Sequence, residues 1–277
     1  MATDGGIYEL MRRHWSQGRL VCVGLDPDLS RLPAGLATHD AERATVFCRE
    51  IADATAEFAA AFKLNSAFFE RMGVPGIQAL ECTIAYIKQA HPDRVVIVDA
   101  KRGDIDNTNL YYAEAVFDTW GADVVTVHPY MGRESLEPFL RRGDKGVIVM
   151  GANSCAGVGE FQDLPVGSEG VPLYEYVCRR VAGNWNRLGN CAVTAGATEP
   201  AKLARIRHAV GDLPILLLGL GAQGGDVDEC LRVGKAQDSF GLIANSSRAI
   251  LYASSGSDFA EAAHRAAARF NQRLSDG

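Results

Sequence analysis

Eight short apolar runs constrain this chain more than any other feature, each followed by a polar or glycine-containing stretch and then a helical pattern. They fall at 20–25, 60–64, 95–100, 123–127, 146–150, 191–195, 215–220 and 240–244. Near-continuous Val/Ile/Leu runs are what strands covered on both faces need, because neither face meets water. Helical patterns lie between them, among others at 41–59, 75–90, 171–188 and 199–210. Such a series of β-then-α units in about 250 residues fits an α/β fold of the (β/α)8 TIM-barrel type. An open doubly wound sheet is the competing arrangement, but no Gly-x-Gly-x-x-Gly follows the first run. No linker interrupts the series, so residues 1–277 are expected to form a single domain.

Composition excludes several partners. A net charge of −6, with acids and bases interspersed, leaves no basic footprint for nucleic acid. The strongly apolar stretch at 213–220 is too short to cross a bilayer, and no basic-then-apolar signal precedes the first run, so no membrane association is expected. The seven cysteines form no Cys-x-x-Cys pair, and the six histidines are scattered without metal-ligand spacing. Cys22 in a strand and Cys48 in a helix read as small core residues. A reduced, cytoplasmic protein with no metal site is the simplest expectation.

In barrels of this type the chemistry lies at the carboxyl ends of the strands. The polar residues there are Asp26 after the first run, Lys63 within the second, and Asp99, Lys101 and Asp104 at the third. His128 follows the fourth run, Ser154 the fifth, Gln223 the seventh and Arg248 the eighth. In a regular strand Asp99 and Lys101 point the same way. Burying acid beside base is costly unless the two pair or act on a ligand. Two lysines and two aspartates converging on one pocket make an alternating array that can hold and discharge an anion. Taken singly, Lys63 also reads as a lysine snorkelling to the barrel rim, and Asp99–Lys101 as a structural ion pair. His128, before Pro129, reads as a loop-fixing or packing residue. The loops at 219–225 and 245–248 combine backbone-exposing glycines with Arg248, which suits a phosphate, although a glycine run alone also reads as a tight turn. The connection at 154–170 shows no clear structure and reads as a lid or binding loop.

At these residues the chain resembles the orotidine 5′-phosphate decarboxylase family in its longer bacterial branch, over nearly its whole length. Asp99-x-Lys101-x-x-Asp104, with Lys63 upstream, looks like the family's catalytic tetrad. Asp26 matches its ribose-binding aspartate and Ser154 its pyrimidine-contacting serine. Gln223 and Gly224 match the phosphate-gripping loop, and Arg248 the phosphate arginine. The resemblance implies decarboxylation of orotidine 5′-phosphate to uridine 5′-phosphate with no metal or organic cofactor. It also implies a homodimer in which Asp104, Ile105 and Thr108 cross the interface to complete the partner's site. The chain departs from the family in three places. Asn153-Ser154-Cys155-Ala156 stands where the branch has Thr-Ser-Asn-Pro, Leu218 where a proline is expected, and Asp106 where a small residue is usual. Sugar-phosphate decarboxylases of the same superfamily share Asp-x-Lys-x-x-Asp but use a divalent metal. A catalytically silent phosphate-binding barrel is a further alternative, and four retained charges argue against it.

Overall fold

The computed structural model describes residues 6–220 and 227–277. Eight parallel strands close into a barrel: β1 (Val21–Gly24), β2 (Ala59–Asn65), β3 (Val95–Arg102), β4 (Val124–Val127), β5 (Gly146–Val149), β8 (Cys191–Gly196), β9 (Ile215–Leu218) and β10 (Leu242–Ser246). The intervening β6 (Pro165–Val166) and β7 (Val171–Pro172) form a separate antiparallel pair. The barrel runs β1-β2-β3-β4-β5-β8-β9-β10 and closes β10 onto β1, the ring expected of a TIM barrel.

The main helices of the outer layer are α2 (Asp40–Thr55), α4 (Val74–Ala90), α5 (Asp106–Glu114), α8 (Leu173–Arg180), α9 (Pro200–Val210), α10 (Val227–Gly234) and α12 (Phe259–Asp276). Shorter helical turns are α3 (Ser66–Glu70), α6 (Gly132–Ser135), α7 (Glu137–Leu140) and α11 (Arg248–Leu251). Helix α1 (Gly6–Ser16) precedes the barrel. Alternation along each strand explains the two hydrophobic clusters. Val21, Val23, Phe62, Leu64, Val96, Val98, Val125 and Val127 join the larger cluster, packed with helical residues such as Phe47, Ile84 and Phe117. Their neighbours Cys22, Ala61, Ile97, Val124, Ile148, Ala192, Leu216 and Ile243, one from each barrel strand, form the interior layer. Tyr8, Met11 and Trp15 of α1 pack onto that layer. The spacing i, i+3, i+7 is that of one helix face, so α1 closes the amino end of the barrel.

Several boundaries differ from the sequence expectation. The helix expected to 59 ends at Thr55, because Ala59 already pairs with Val21 in β2. The pattern at 171–188 divides into α8 and a wider π turn at Val181–Trp185. The stretch at 154–170 is not structureless. It carries a 3-10 turn at Val158–Glu160, and β6 turns back through Gly167 and Gly170, both at positive φ, onto β7.

Candidate active site

Two residues beyond the apolar interior layer, the same strands present Gly24, Lys63, Asp99, Thr126, Met150, Thr194, Leu218 and Asn245. The pleat puts these on the interior side at the carboxyl end. Gly24 is small because Ser247 lies against it: a Cβ there would fall 1.8 Å from Ser247 Oγ. Lys63 is fully enclosed, with 3% of its side chain exposed, and its Nζ lies 3.7 Å from Asp26 Oδ1 and 3.6 Å from Asp99 Oδ2. Asp99 is also buried, and its Oδ1 accepts from Lys101 Nζ at 2.7 Å and Thr126 Oγ1 at 2.8 Å. The side chain of Lys101 is 37% exposed, so this ammonium sits at the mouth of the pocket while Lys63 lies behind it.

The electrostatics follow from that arrangement. Burial pushes the Asp99 carboxyl up, but Lys63, Lys101 and the hydrogen bonds from Lys101 and Thr126 outweigh it and hold the group below the usual carboxylate range. Burial works against the charged form of Lys63, yet Asp26 and Asp99 raise its pKa above the ordinary lysine value. Lys63 and Asp99 are thus each held in the charged form within an enclosed site. His128, at the end of β4, is pushed down by burial and then by Lys101, which favours the neutral ring. Its backbone N–H donates to Arg102 O at 2.7 Å, in keeping with a loop-fixing role.

The structure brings Asp26, Lys63, Asp99 and Lys101 together and leaves Asp104 outside that cluster. Asp104 makes no ion pair among the described residues. Its N–H donates to Asn109 Oδ1, Asn109 Nδ2 donates to its carbonyl, and its own Oδ1 caps the Ile105 N–H. Thr108 lies in the first turn of α5, half-buried. The regular alternation expected through Asp99–Lys101 is interrupted. The β3–β4 register shifts between Val98 and Arg102, and Lys101 takes a left-handed φ of 47°. Lys101 still reaches Asp99, through a bulge rather than a flat strand.

Ser154 follows β5 and packs against Gly196, where a Cβ would lie 1.8 Å from Ser154 Oγ. That hydroxyl is buried and has no hydrogen-bond partner among the described residues, an unsatisfied group that native proteins rarely keep without a reason. Arg248 begins α11 and is exposed. With Asp26, Arg31, Asn245, Ser247 and Tyr252 it lines one cavity at the carboxyl end of the barrel. Gln223 and Gly224 lie outside the described residues. The departure at Asp106 has a local reason: it opens α5, where an acid favours the helix dipole. Leu218 packs against the interior cluster, and Cys155 and Ala156 are exposed.

Sequence reasoning missed Thr126, Tyr252 and Arg31. Thr126 is two residues before His128, so alternation from that histidine would have found it. The Tyr252 hydroxyl accepts from Asp28 N–H at 2.6 Å and donates to Asp26 O at 3.0 Å, tying the loop after β1 to α11. The Arg31 guanidinium lies 3.9 Å above the Tyr252 ring centroid, a second cation facing the cavity of Arg248. No sequence motif joins Arg31 to Tyr252, because their contact exists only once the barrel closes.

The family model described as "Orotidine 5'-phosphate decarboxylase / HUMPS family" matches residues 19–265. An orotidine 5′-phosphate decarboxylase from Aromatoleum aromaticum is 48% identical over 259 residues, covering 93% of this chain and 94% of the relative. The solved OMP decarboxylase of Leishmania donovani superposes with a TM-score of 0.83 at 34% identity, covering 97% of this chain and 98% of that one. The UMP synthase of the same organism gives a TM-score of 0.87 at 36% identity. That match covers 98% of this chain, which spans 56% of the longer synthase.

Proposed function

The chain belongs to the orotidine 5′-phosphate decarboxylase / HUMPS family, and from that premise we propose how its residues divide the work. The reaction is the decarboxylation of orotidine 5′-phosphate in pyrimidine biosynthesis, the work of a carboxy-lyase. The bond from the ring carbon to the carboxylate breaks, carbon dioxide leaves, and the electron pair stays on the ring carbon in the plane of the ring. No π system absorbs that pair, so the protein must favour the carbanion over the carboxylate electrostatically.

The observation that carries the assignment is the Asp99–Lys101 contact at 2.7 Å, one partner buried and the other at the pocket mouth. Asp99 lies beside the substrate carboxylate and disfavours that anion. The Lys101 ammonium stabilises the developing charge and then gives its proton to the ring carbon. Unit charges about 4 Å apart interact by roughly 4 kcal/mol at an effective dielectric of 20, enough to change a rate greatly. Lys63, enclosed between Asp26 and Asp99, holds the array in register. Asp26 takes the ribose hydroxyls, Ser154 the pyrimidine ring, and Arg248 with Gln223 and Gly224 the phosphate.

The chemistry needs no metal or organic cofactor in this reading. Purified protein should therefore consume orotidine 5′-phosphate, followed by its ultraviolet absorbance, in excess chelator. Activity that is absent until magnesium is restored would overturn it.

The site is also shared between two subunits of a homodimer, with Asp104 and Thr108 serving the partner's pocket. This is supported by the absence of an ion pair at Asp104 among the described residues and by the exposed Ile105 and Tyr111 on the same segment, 48% and 70% accessible. Lys101→Ala and Asp104→Asn should each be nearly inactive alone. Mixed by refolding, they should restore roughly a quarter of the wild-type sites, since half of randomly paired dimers are mixed and each holds one intact site. No recovery after confirmed exchange would assign Asp104 to its own chain's pocket. Residues 1–277 act as one barrel domain working in the cytoplasm. Among the described residues, no helix is long and apolar enough to cross a membrane.

A further inference from the structure

The bulge in β3 has a single residue facing it. Val98 pairs with Val125 and Arg102 with Val127, so Asp99, Ala100 and Lys101 stand opposite Thr126 alone. A bulge interrupts the ladder and leaves backbone groups to find other partners. At Lys101 the interruption coincides with a left-handed φ of 47°, a conformation that a lysine adopts only when its surroundings hold it there. The Lys101 N–H donates to Thr126 Oγ1 at 3.0 Å, and that hydroxyl donates to Asp99 Oδ1 at 2.8 Å. A hydroxyl has one proton and two lone pairs. The amide occupies a lone pair, which leaves the proton for the carboxylate. Thr126 is fully buried, so water does not compete for either bond. Lys101 Nζ meets the same Oδ1 at 2.7 Å, while Oδ2 faces Lys63.

We propose that Thr126 is a positioning residue for the decarboxylation: its hydroxyl fixes both the left-handed turn at Lys101 and the rotation of the Asp99 carboxylate, and so places the Lys101 ammonium against the reacting carbon. The inference rests on the roles given above to Asp99 and Lys101. Both hydrogen bonds of the side chain end on those two residues, one on the backbone and one on the carboxylate. The flanking pairs Val98–Val125 and Arg102–Val127 set the strand register without it. Valine has the shape of threonine but can neither accept the amide nor donate to the carboxylate. In its presence the turn at Lys101 loses its anchor and the ammonium drifts from its place, and a misplacement near 1 Å costs on the order of 10²-fold in rate.

The test compares Thr126→Val with Thr126→Ser, measuring kcat, KM for orotidine 5′-phosphate and Kd for uridine 5′-phosphate, with Lys101→Ala alongside. The valine variant should lose kcat by about 10²-fold while KM and Kd stay within about threefold of wild type, because the ammonium moves and the binding loops do not. The serine variant keeps the hydroxyl and should stay within about tenfold of wild-type kcat. If the valine protein does not fold, Thr126→Ala removes the same two bonds without a second methyl group, and the same result is expected of it. The inference is overturned if kcat of the valine variant stays within about threefold of wild type, if serine and valine lose kcat equally, or if KM rises in step with the lost kcat. An active Lys101→Ala would instead overturn the role given to Lys101. An inactive Lys101→Ala beside an active Thr126→Val would remove Thr126 alone.

Discussion

The lower interior layer of the barrel is Cys22, Ala61, Ile97, Val124, Ile148, Ala192, Leu216 and Ile243, with Trp15 and Met11 of α1 packed onto it. Two residues further along five of the same strands stand Lys63, Asp99, Thr126, Thr194 and Asn245, all buried. The backbone is continuous through both layers, and the chemistry of the side chains reverses within roughly 7 Å. The lower layer gains stability by removing apolar surface from water. The upper layer spends part of that gain on charges whose enclosure is at best neutral for stability. Their mutual pairing lowers the cost, and the Ser154 hydroxyl, without a partner among the described residues, adds to it. Stability thus resides at the amino end, and the proposed chemistry at the carboxyl end.

The largest effect that would break this division is expected at the lower end. Trp15 is 3% exposed and stacks on Phe240 with ring centroids 6.2 Å apart. Trp15→Ala should cost about 3–5 kcal/mol of unfolding free energy, measured by urea titration. The kcat per folded molecule should be unchanged, and a parallel fall in kcat would show the two ends to be coupled.

A smaller effect belongs to the upper rim. If Arg248 holds the phosphate as proposed, Arg248→Ala removes a charge-assisted contact worth about 1.5–3 kcal/mol, so kcat/KM for orotidine 5′-phosphate should fall roughly 10–100-fold. The nucleoside without phosphate should be turned over as by wild type. Equal losses on both substrates would remove Arg248 from the phosphate site.

The smallest effect sharpens the comparison through pH. His14, under the barrel, is 2% exposed and its Nε2 lies 2.6 Å from Asp93 O. Burial holds its pKa below the ordinary histidine value, Arg94 and Arg19 act in the same sense, and the Asp93 carbonyl opposes them. The unfolded chain therefore binds a proton that the folded one resists. Stability is full above the unfolded value near 6.5 and falls as pH drops through it toward the folded pKa. His14→Gln should show a shallower loss of stability between about pH 7 and 5 in denaturant titrations. An unchanged slope would assign that pH dependence elsewhere, His128 at the upper end being the next candidate.

The barrel was legible because strands covered on both faces leave uninterrupted apolar runs, and the charges at their carboxyl ends stand out against them. Helix α1 was missed, although Tyr8, Met11 and Trp15 already carry its face spacing, because no strand precedes it to suggest a β-then-α unit. Lys63, Asp99 and Lys101 were readable as members of one charged group because they stand in or beside apolar runs, but the sequence pattern joined Asp104 to them where the structure joins Asp26. The bulge at Asp99–Lys101 was not, since nothing in Asp99-Ala100-Lys101 signals a left-handed lysine where glycine is the usual choice. Alternation from His128 marks Thr126 as facing the interior, but its bonds to Lys101 and Asp99 are legible only once the bulge opposite it is known. The pairing of Arg31 with Tyr252 spans most of the chain and depends on closure of β10 onto β1.

Lys101→Ala tests the division of labour most directly, read as kcat and as unfolding free energy on the same preparation. Lys101 is the proton donor in the proposed reaction but is partly exposed, so its ion pair contributes at most about 1 kcal/mol to stability. The kcat should fall by at least about 10²-fold while the unfolding free energy stays within about 1 kcal/mol of wild type. Retained activity, or activity lost only in proportion to the unfolded fraction, would contradict it.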